Sequence, residues 1–189
     1  MIKYKLKEII KGIFLAEFES RFDLAMTFLR YQEYYESANP KFKGKQFEIM
    51  DYIQWYSKNN NNIFTYADDW VGFNIPSWVI DEVQNNLTGK GPIVDKNKYD
   101  DVMKSISNKC RGKVFTYQSF YLIGAFKGET SIIKHEVAHG LYTVNPEYKE
   151  RMYKLHSELS PKSKKALEKE FLDLGYHKSV WKDEAQAFL

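Results

Sequence analysis

The run from Phe120 to Asn145 constrains the chain more than any other stretch. Phe120-Tyr-Leu-Ile-Gly-Ala-Phe126 is short and apolar throughout, which predicts a buried strand. Lys127-Gly128-Glu129 predicts a turn. Thr130 and Ser131 are good N-cap types for a helix that follows. Ile133, Val137, Leu141 and Val144 recur at helical spacing and predict its buried face. Asn145-Pro146 ends it, because the residue before proline is pushed out of the helical region.

That helix carries His135, Glu136 and His139, a complete H-E-x-x-H. Residues four apart on a helix share a face, one turn above each other. The two histidines can therefore turn one imidazole nitrogen each toward a single metal ion. Glu136 stands about 100° round from His135, within reach of a water on that ion. Two ligands, a carboxylate base and an open position for water are the working parts of a zinc hydrolase. The chain has four histidines, and two of them are here.

Composition narrows the class. At 189 residues with 43% hydrophobic residues the chain can bury an ordinary core. A net charge of +3, with no basic block, gives no reason to expect a nucleic-acid partner. No run approaches the roughly 18 apolar residues of a membrane span. The N-terminal MIKYKLKEIIKGIFLAEF is broken by charges too often for a signal peptide. The default expectation is a cytoplasmic protein, and signal-independent export is compatible with the same sequence. The single cysteine, Cys110, excludes an intrachain disulfide framework and is expected to be structural. Nothing in the sequence marks an oligomeric state.

In chain order, residues 1–19 predict two short strands around Gly12. Arg21 to Glu36 predicts a helix, with Phe22, Ala25, Phe28, Leu29 and Tyr35 at spacings of three and four. Its polar-aromatic run, Arg30 to Glu36, predicts an aromatic rim. Phe47 to Tyr56 predicts a second helix, Ile63 to Tyr66 a strand, and Ser77 to Leu87 a helix capped by Ser77. Asn85 to Asn97, with Gly89, Gly91 and Pro92, is the best candidate linker. It would divide the chain into residues 1–96, an α+β region of unassigned role, and residues 97–189, which carry the site; one continuous domain is the other reading. Tyr99 to Cys110 predicts a helix and Val114 to Tyr117 a strand. After the motif come three more helices: Glu147 to Leu159, one from Ser160-Pro161 to Leu174 with Gly175 as its C-cap, and Ser179 to Phe188.

A catalytic zinc site needs a third protein ligand. His156, His177, Asp183 and Glu184 are the downstream candidates. The extended pattern H-E-x-x-H-x-x-G-x-x-H is not met, since Tyr142 and Asn145 stand at its last two fixed positions. Glu184, in DEAQAF on a short helix about 45 residues beyond His139, resembles the ligand glutamate of the gluzincins. These are zincin metallopeptidases whose third ligand lies on a later helix. The resemblance rests on His135, Glu136, His139 and Glu184 and covers roughly residues 114–189. DEAQAFL is also similar to the glutamate helix of the regulatory zincins that cleave phage repressors. Many gluzincins carry an aspartate four residues after the ligand glutamate, as partner to a motif histidine. Phe188 stands there, and Asp183 is the neighbouring carboxylate that could replace it.

The resemblance implies an α+β, zincin-like fold: a small sheet packed on the motif helix, an edge strand that pairs with substrate, and a mainly helical C-terminal part. It implies a zinc-dependent peptidase acting on peptide or protein substrates, with Glu136 as general base toward a zinc-bound water. Tyr142, Tyr176 and His177 are candidate oxyanion donors, and Asp183 a candidate partner of a ligand histidine. The alternative is a zincin-fold binding or regulatory protein with little or no hydrolysis, whose aromatic-rich first half would be the interface.

Overall fold

The computed structural model describes residues 2–85, 95–114, 119–173 and 181–188. It is α+β, with one small mixed sheet of order β1-β2-β4-β3 and mainly helical structure around it. β1 (Tyr4–Ile10) and β2 (Ile13–Phe18) form an antiparallel hairpin whose turn uses Gly12 at φ +78°, a conformation open to glycine at little cost. β2 then pairs in parallel with β4 (Tyr121–Phe126), from Ile13↔Tyr121 to Phe18↔Phe126. β3 (Gly72–Pro76) closes the sheet antiparallel to β4 and is an edge strand. A proline is tolerated there because an edge residue has no second ladder to serve. Three strands come from before residue 96 and one from after, so a single sheet joins the two regions separated in the sequence reading.

The strands alternate between two faces. Phe14, Ala16, Phe18, Leu122, Phe73 and Ile75 point into the larger core. It is filled by α1 (Arg21–Glu36), α2 (Ile49–Asn59), α4 (Ser77–Asn85) and α5 (Lys98–Arg111). A Cβ on Gly124 would stand 2.5 Å from the Phe28 ring, so α1 lies on bare backbone at that point. Phe42, Phe47, Tyr52, Tyr66 and Phe73 also pack in this core. Much of the aromatic content of the first half is therefore interior. Cys110 is fully buried on α5.

The other face holds Ile13, Leu15, Tyr121, Ile123 and Ala125. α6 (Ile133–Val144) covers it with the predicted stripe, Ile133, Val137, Leu141 and Val144. Gly140 lets the helix settle, since a Cβ there would come within 2.9 Å of Ile13 and 3.1 Å of Tyr121. α7 (Pro146–Glu158), α8 (Pro161–Asp173) and α9 (Trp181–Phe188) complete the chain on this side.

Several expectations need correction. Ile63 to Thr65 is not strand, and Tyr66–Asp69 is a short helical turn, α3. Asp69 closes it by accepting from both Tyr56 and Thr65 at 2.5 Å. The strand of this region is β3 instead. The second helix begins at Ile49 rather than Phe47. The motif helix has Ile132, not Thr130 or Ser131, at its N-cap, because the Ser131 hydroxyl is spent on Glu129. Most of the candidate linker, the strand proposed for Val114 to Tyr117 (beyond Val114 itself), and Gly175 lie outside the described residues. No helix among the described residues is long and apolar enough to cross a membrane.

Candidate metal centre

α6 and α9 build the site between them. On α6, His135 and His139 stand one turn apart with their Nε2 atoms 3.1 Å from each other. Glu184 on α9 faces both: Oε1 is 3.8 Å from His139 Nε2 and Oε2 is 3.8 Å from His135 Nε2. Ligand atoms around a tetrahedral zinc stand about 3.3 Å apart, given bonds of about 2.0–2.2 Å. Among the described residues these three form a group whose candidate ligand atoms all lie within 4.8 Å of one another. His156, on α7, is not part of it. His177 and Tyr176 lie outside the described residues.

The opposite ring nitrogens decide the chemistry. His139 Nδ1 is 2.9 Å from Asp183 Oδ1, and His135 Nδ1 is 3.3 Å from the Ala187 carbonyl oxygen. Both acceptors take an N–H, so both neutral imidazoles present an Nε2 lone pair to the same point. Two lone pairs at 3.1 Å beside a carboxylate repel unless they share a cation or a proton. The donor set, two imidazoles and one carboxylate, is the set that suits zinc. Comparison of the chain with family models, curated proteins and solved structures returns no match. The functional reading therefore rests on this geometry.

Asp183 is fixed in its turn. Gln186 Nε2 donates to its Oδ1 at 3.0 Å, and the Tyr148 hydroxyl on α7 donates to Gln186 Oε1 at 2.7 Å. A chain of hydrogen bonds thus runs from α7 through Gln186 and Asp183 to His139. Asp183 makes the contact to a motif histidine that the resemblance places at the position of Phe188. Gln186 and Tyr148 escaped sequence reasoning, because neither belongs to a ligand spacing.

Electrostatics separate the members. Burial lowers the His135 pKa, as does the neighbouring His139. Burial works the same way on His139, but the hydrogen bond and charge of Asp183, with Glu184 and Glu136, overcome it and raise its pKa. Burial pushes the Glu136 carboxyl up to about 7, with the nearby Glu36 and Glu184 adding to it against His139 and the Asn74 side chain. Glu136 Oε2 is buried and has no hydrogen-bond partner. Glu36, at the end of α1, is also raised to about 7, by dense packing around its carboxyl and by Glu184 and Asp183, against His139 and Lys43. Its residue surface remains exposed. Only the polar-aromatic run at the end of α1 hinted at Glu36.

Tyr142 is buried on α6 but faces α7. Its ring centroid is 5.7 Å from that of Tyr153, and Lys149 covers its ring.

Glu36 and Glu136 stay protonated to about pH 7 in the folded protein but ionise near 4.5 when unfolded. Between these values the folded state binds more protons, so stability falls as pH rises. His139 acts in the same direction and His135 against it. Chelator-treated protein should therefore melt highest near pH 5 and progressively lower toward pH 7.5. Glu36→Gln should flatten that slope in scanning calorimetry.

Proposed function

We propose that this chain is a zinc-dependent peptidase of gluzincin-like type, with a zincin-like fold. The observation that carries the reading is the convergence of His135 Nε2, His139 Nε2 and the Glu184 carboxylate, with both Nδ1 atoms tied back to α9. His135, His139 and Glu184 would hold the ion. Zinc held there would supply Lewis acidity to a water and to a substrate carbonyl.

The protein's own groups do the rest. Glu136 Oε2, buried beside His139 and without a partner, accepts the proton of the attacking water and passes it to the leaving amine. Its raised pKa suits both halves of that transfer near neutral pH. Asp183 holds the His139 ring in the tautomer that turns Nε2 inward. β3, as the edge strand nearest α6, offers an unpaired backbone along which an extended peptide can lie.

Elemental analysis of the folded wild type and of Glu184→Ala tests the reading. About one zinc per chain is expected in the wild type, against little or none in the variant. Asp183→Ala should keep the site but weaken zinc affinity by roughly 10–100-fold. Chelator-sensitive cleavage of a peptide library completes the expectation. Stoichiometric zinc with no turnover on the library would favour the binding-protein alternative. A wild type that takes up no zinc on reconstitution overturns both.

A further inference from the structure

Exposed apolar side chains gather at the two ends of β3. Trp70 and Val71 stand just before the strand and are each 46% exposed, and Trp78 stands just after it and is 51% exposed. Single apolar residues scattered over a surface are ordinary. These are not scattered: among the described residues, three of the ten large exposed ones fall within two residues of one five-residue strand. Both tryptophans are also braced. The Trp78 ring stands edge-on to half-buried Tyr35 with centroids 5.6 Å apart, and the Trp70 ring lies 6.0 Å from fully buried Tyr66. Each indole is seated against a tyrosine and still leaves much of its surface open.

The same strand runs beside the proposed metal centre. A Cβ on Gly72 would stand 1.8 Å from Ile132 Cδ1, so the start of β3 meets the start of α6. The register pairs Pro76 with Tyr121, and a Cβ on Gly140 would stand 3.1 Å from the Tyr121 ring. The end of β3 is therefore level with Gly140. Ile132, Glu136 and Gly140 are spaced by four and form one ridge of the helix. Eight residues of helix rise about 12 Å, and four residues of strand about 13 Å, so strand and helix run in step and in the same direction. Glu136 comes level with Asn74, the middle of β3, whose side chain accepts from the Tyr121 hydroxyl at 2.6 Å on this face. Trp70 and Trp78 stand four residues to either side of Asn74. One tryptophan thus lies beyond each end of the strand whose middle passes the metal-binding turn.

The two edges of the sheet differ to match. β1 carries Lys5, Lys7 and Glu8, and charges on an edge discourage pairing with another chain. β3 carries none. An added strand takes its affinity from backbone pairing and its specificity from the surfaces its side chains meet, and tryptophan and tyrosine are favoured anchors at such surfaces. We infer that Trp78 with Tyr35, and Trp70 with Val71, are apolar subsites at the two ends of a peptide track along β3, and that the substrates carry a bulky apolar side chain within about three residues on each side of the bond cleaved. This rests on the reading of the site as a peptidase and names its substrate class. An anchor on both sides needs chain on both sides, so cleavage falls within a peptide rather than at its end.

The test uses zinc-loaded full-length protein as wild type, Trp70→Ala, Trp78→Ala and the conservative Trp70→Phe and Trp78→Phe. The substrates are fluorescent-labelled decapeptides in which phenylalanine, leucine or serine is placed at one position at a time on either side of the bond cleaved. The wild type should favour phenylalanine or leucine over serine by roughly 10-fold or more in kcat/KM at one position on each side. Trp78→Ala should lose that preference on one side only and Trp70→Ala on the other, with the phenylalanine variants keeping most of it. All four should retain about one zinc per chain, since neither tryptophan is among the three converging donors. A preference that persists in an alanine variant overturns the subsite at that tryptophan, and a wild type without preference on either side overturns both. If the wild type cleaves nothing, the peptidase reading fails separately and fluorescence anisotropy of the same decapeptides decides. Binding of the apolar peptides that weakens roughly 10-fold in each alanine variant upholds the track. No binding by the wild type, or equal binding by wild type and variants, overturns it.

Discussion

Glu136→Gln should lower peptide cleavage by roughly 10²–10⁴-fold, the range a positioned general base contributes, while the protein still binds about one zinc per chain. Glutamine keeps the shape of the side chain and its hydrogen-bonding capacity but cannot accept the proton. The site predicts that the two effects separate. Glu136 is not one of the three converging donors, so its charge is not needed to hold the ion. Its Oε2 has no other hydrogen bond to lose, so the fold should survive as well. Losing one buried carboxyl that is held protonated to about pH 7 removes a cost of folding at neutral pH, and the variant should melt at or slightly above the wild-type temperature. Cleavage at the wild-type rate by the variant would sink the assignment of Glu136, whatever the zinc content.

The second large effect lies on the far side of the sheet. Asp100→Ala should destabilise the protein by about 3–5 kcal/mol, the cost of removing one partner of a buried ion pair. At about 2–4 °C per kcal/mol for a domain of this size, the melting temperature should drop by roughly 6–20 °C. Arg30 is 2% exposed and almost fully committed. Its Nε donates to Asp100 Oδ1 at 3.1 Å, one terminal nitrogen to the Phe47 carbonyl at 2.6 Å, and the other to the Asp95 carbonyl at 2.9 Å. Asp100 also accepts from the Asn97 backbone and completes the capping box of α5. One substitution thus uncaps α5 and takes from Arg30 its buried carboxylate, leaving only the more exposed Asp95 carboxylate at 3.1 Å. Arg30→Met with Asp100→Leu removes both charges and should cost much less than the single change. Denaturant unfolding of the three variants checks this, and equal losses in single and double variants would contradict it.

The parts of the molecule that read directly from the sequence are those governed by short-range rules. The stripe of Ile133, Val137, Leu141 and Val144 found its sheet face because a 3.6-residue period needs no tertiary information. Arg21 to Glu36, the Gly12 hairpin and the Pro161 helix start are of the same kind. The triad of His135, His139 and Glu184 was legible because ligand chemistry restricts the residue types so severely. What stayed hidden depends on the parallel pairing of β2 with β4 and on the edge placement of β3. Asn74 sits in a stretch with no motif, and only the sheet register sets it within reach of Tyr121. Glu36 lies 100 residues before Glu136 and shares no spacing with it. Ile63 to Tyr66 read as strand from its β-branched and aromatic residues, but Asp69 capped it into a turn. The run Arg30 to Glu36 read as a rim, whereas Arg30, Tyr31 and Glu33 are core residues, with Arg30 paired to Asp95 and Asp100 and Glu33 accepting from Tyr66.

The parallel pairing of β2 with β4 sets a timetable for synthesis. Residues 13–18 leave the ribosome more than a hundred residues ahead of their partners at 121–126. At about 5–20 residues per second, the first hairpin waits roughly 5–20 s for its neighbour strand. During that interval Ile13 and Leu15 have neither β4 beside them nor α6 over them, and the open edge of β2 is a template for wrong partners. The residues that would hold zinc come later still, on α6 and α9. Assembly of the site thus waits on α9, after all four strands of the sheet have been made.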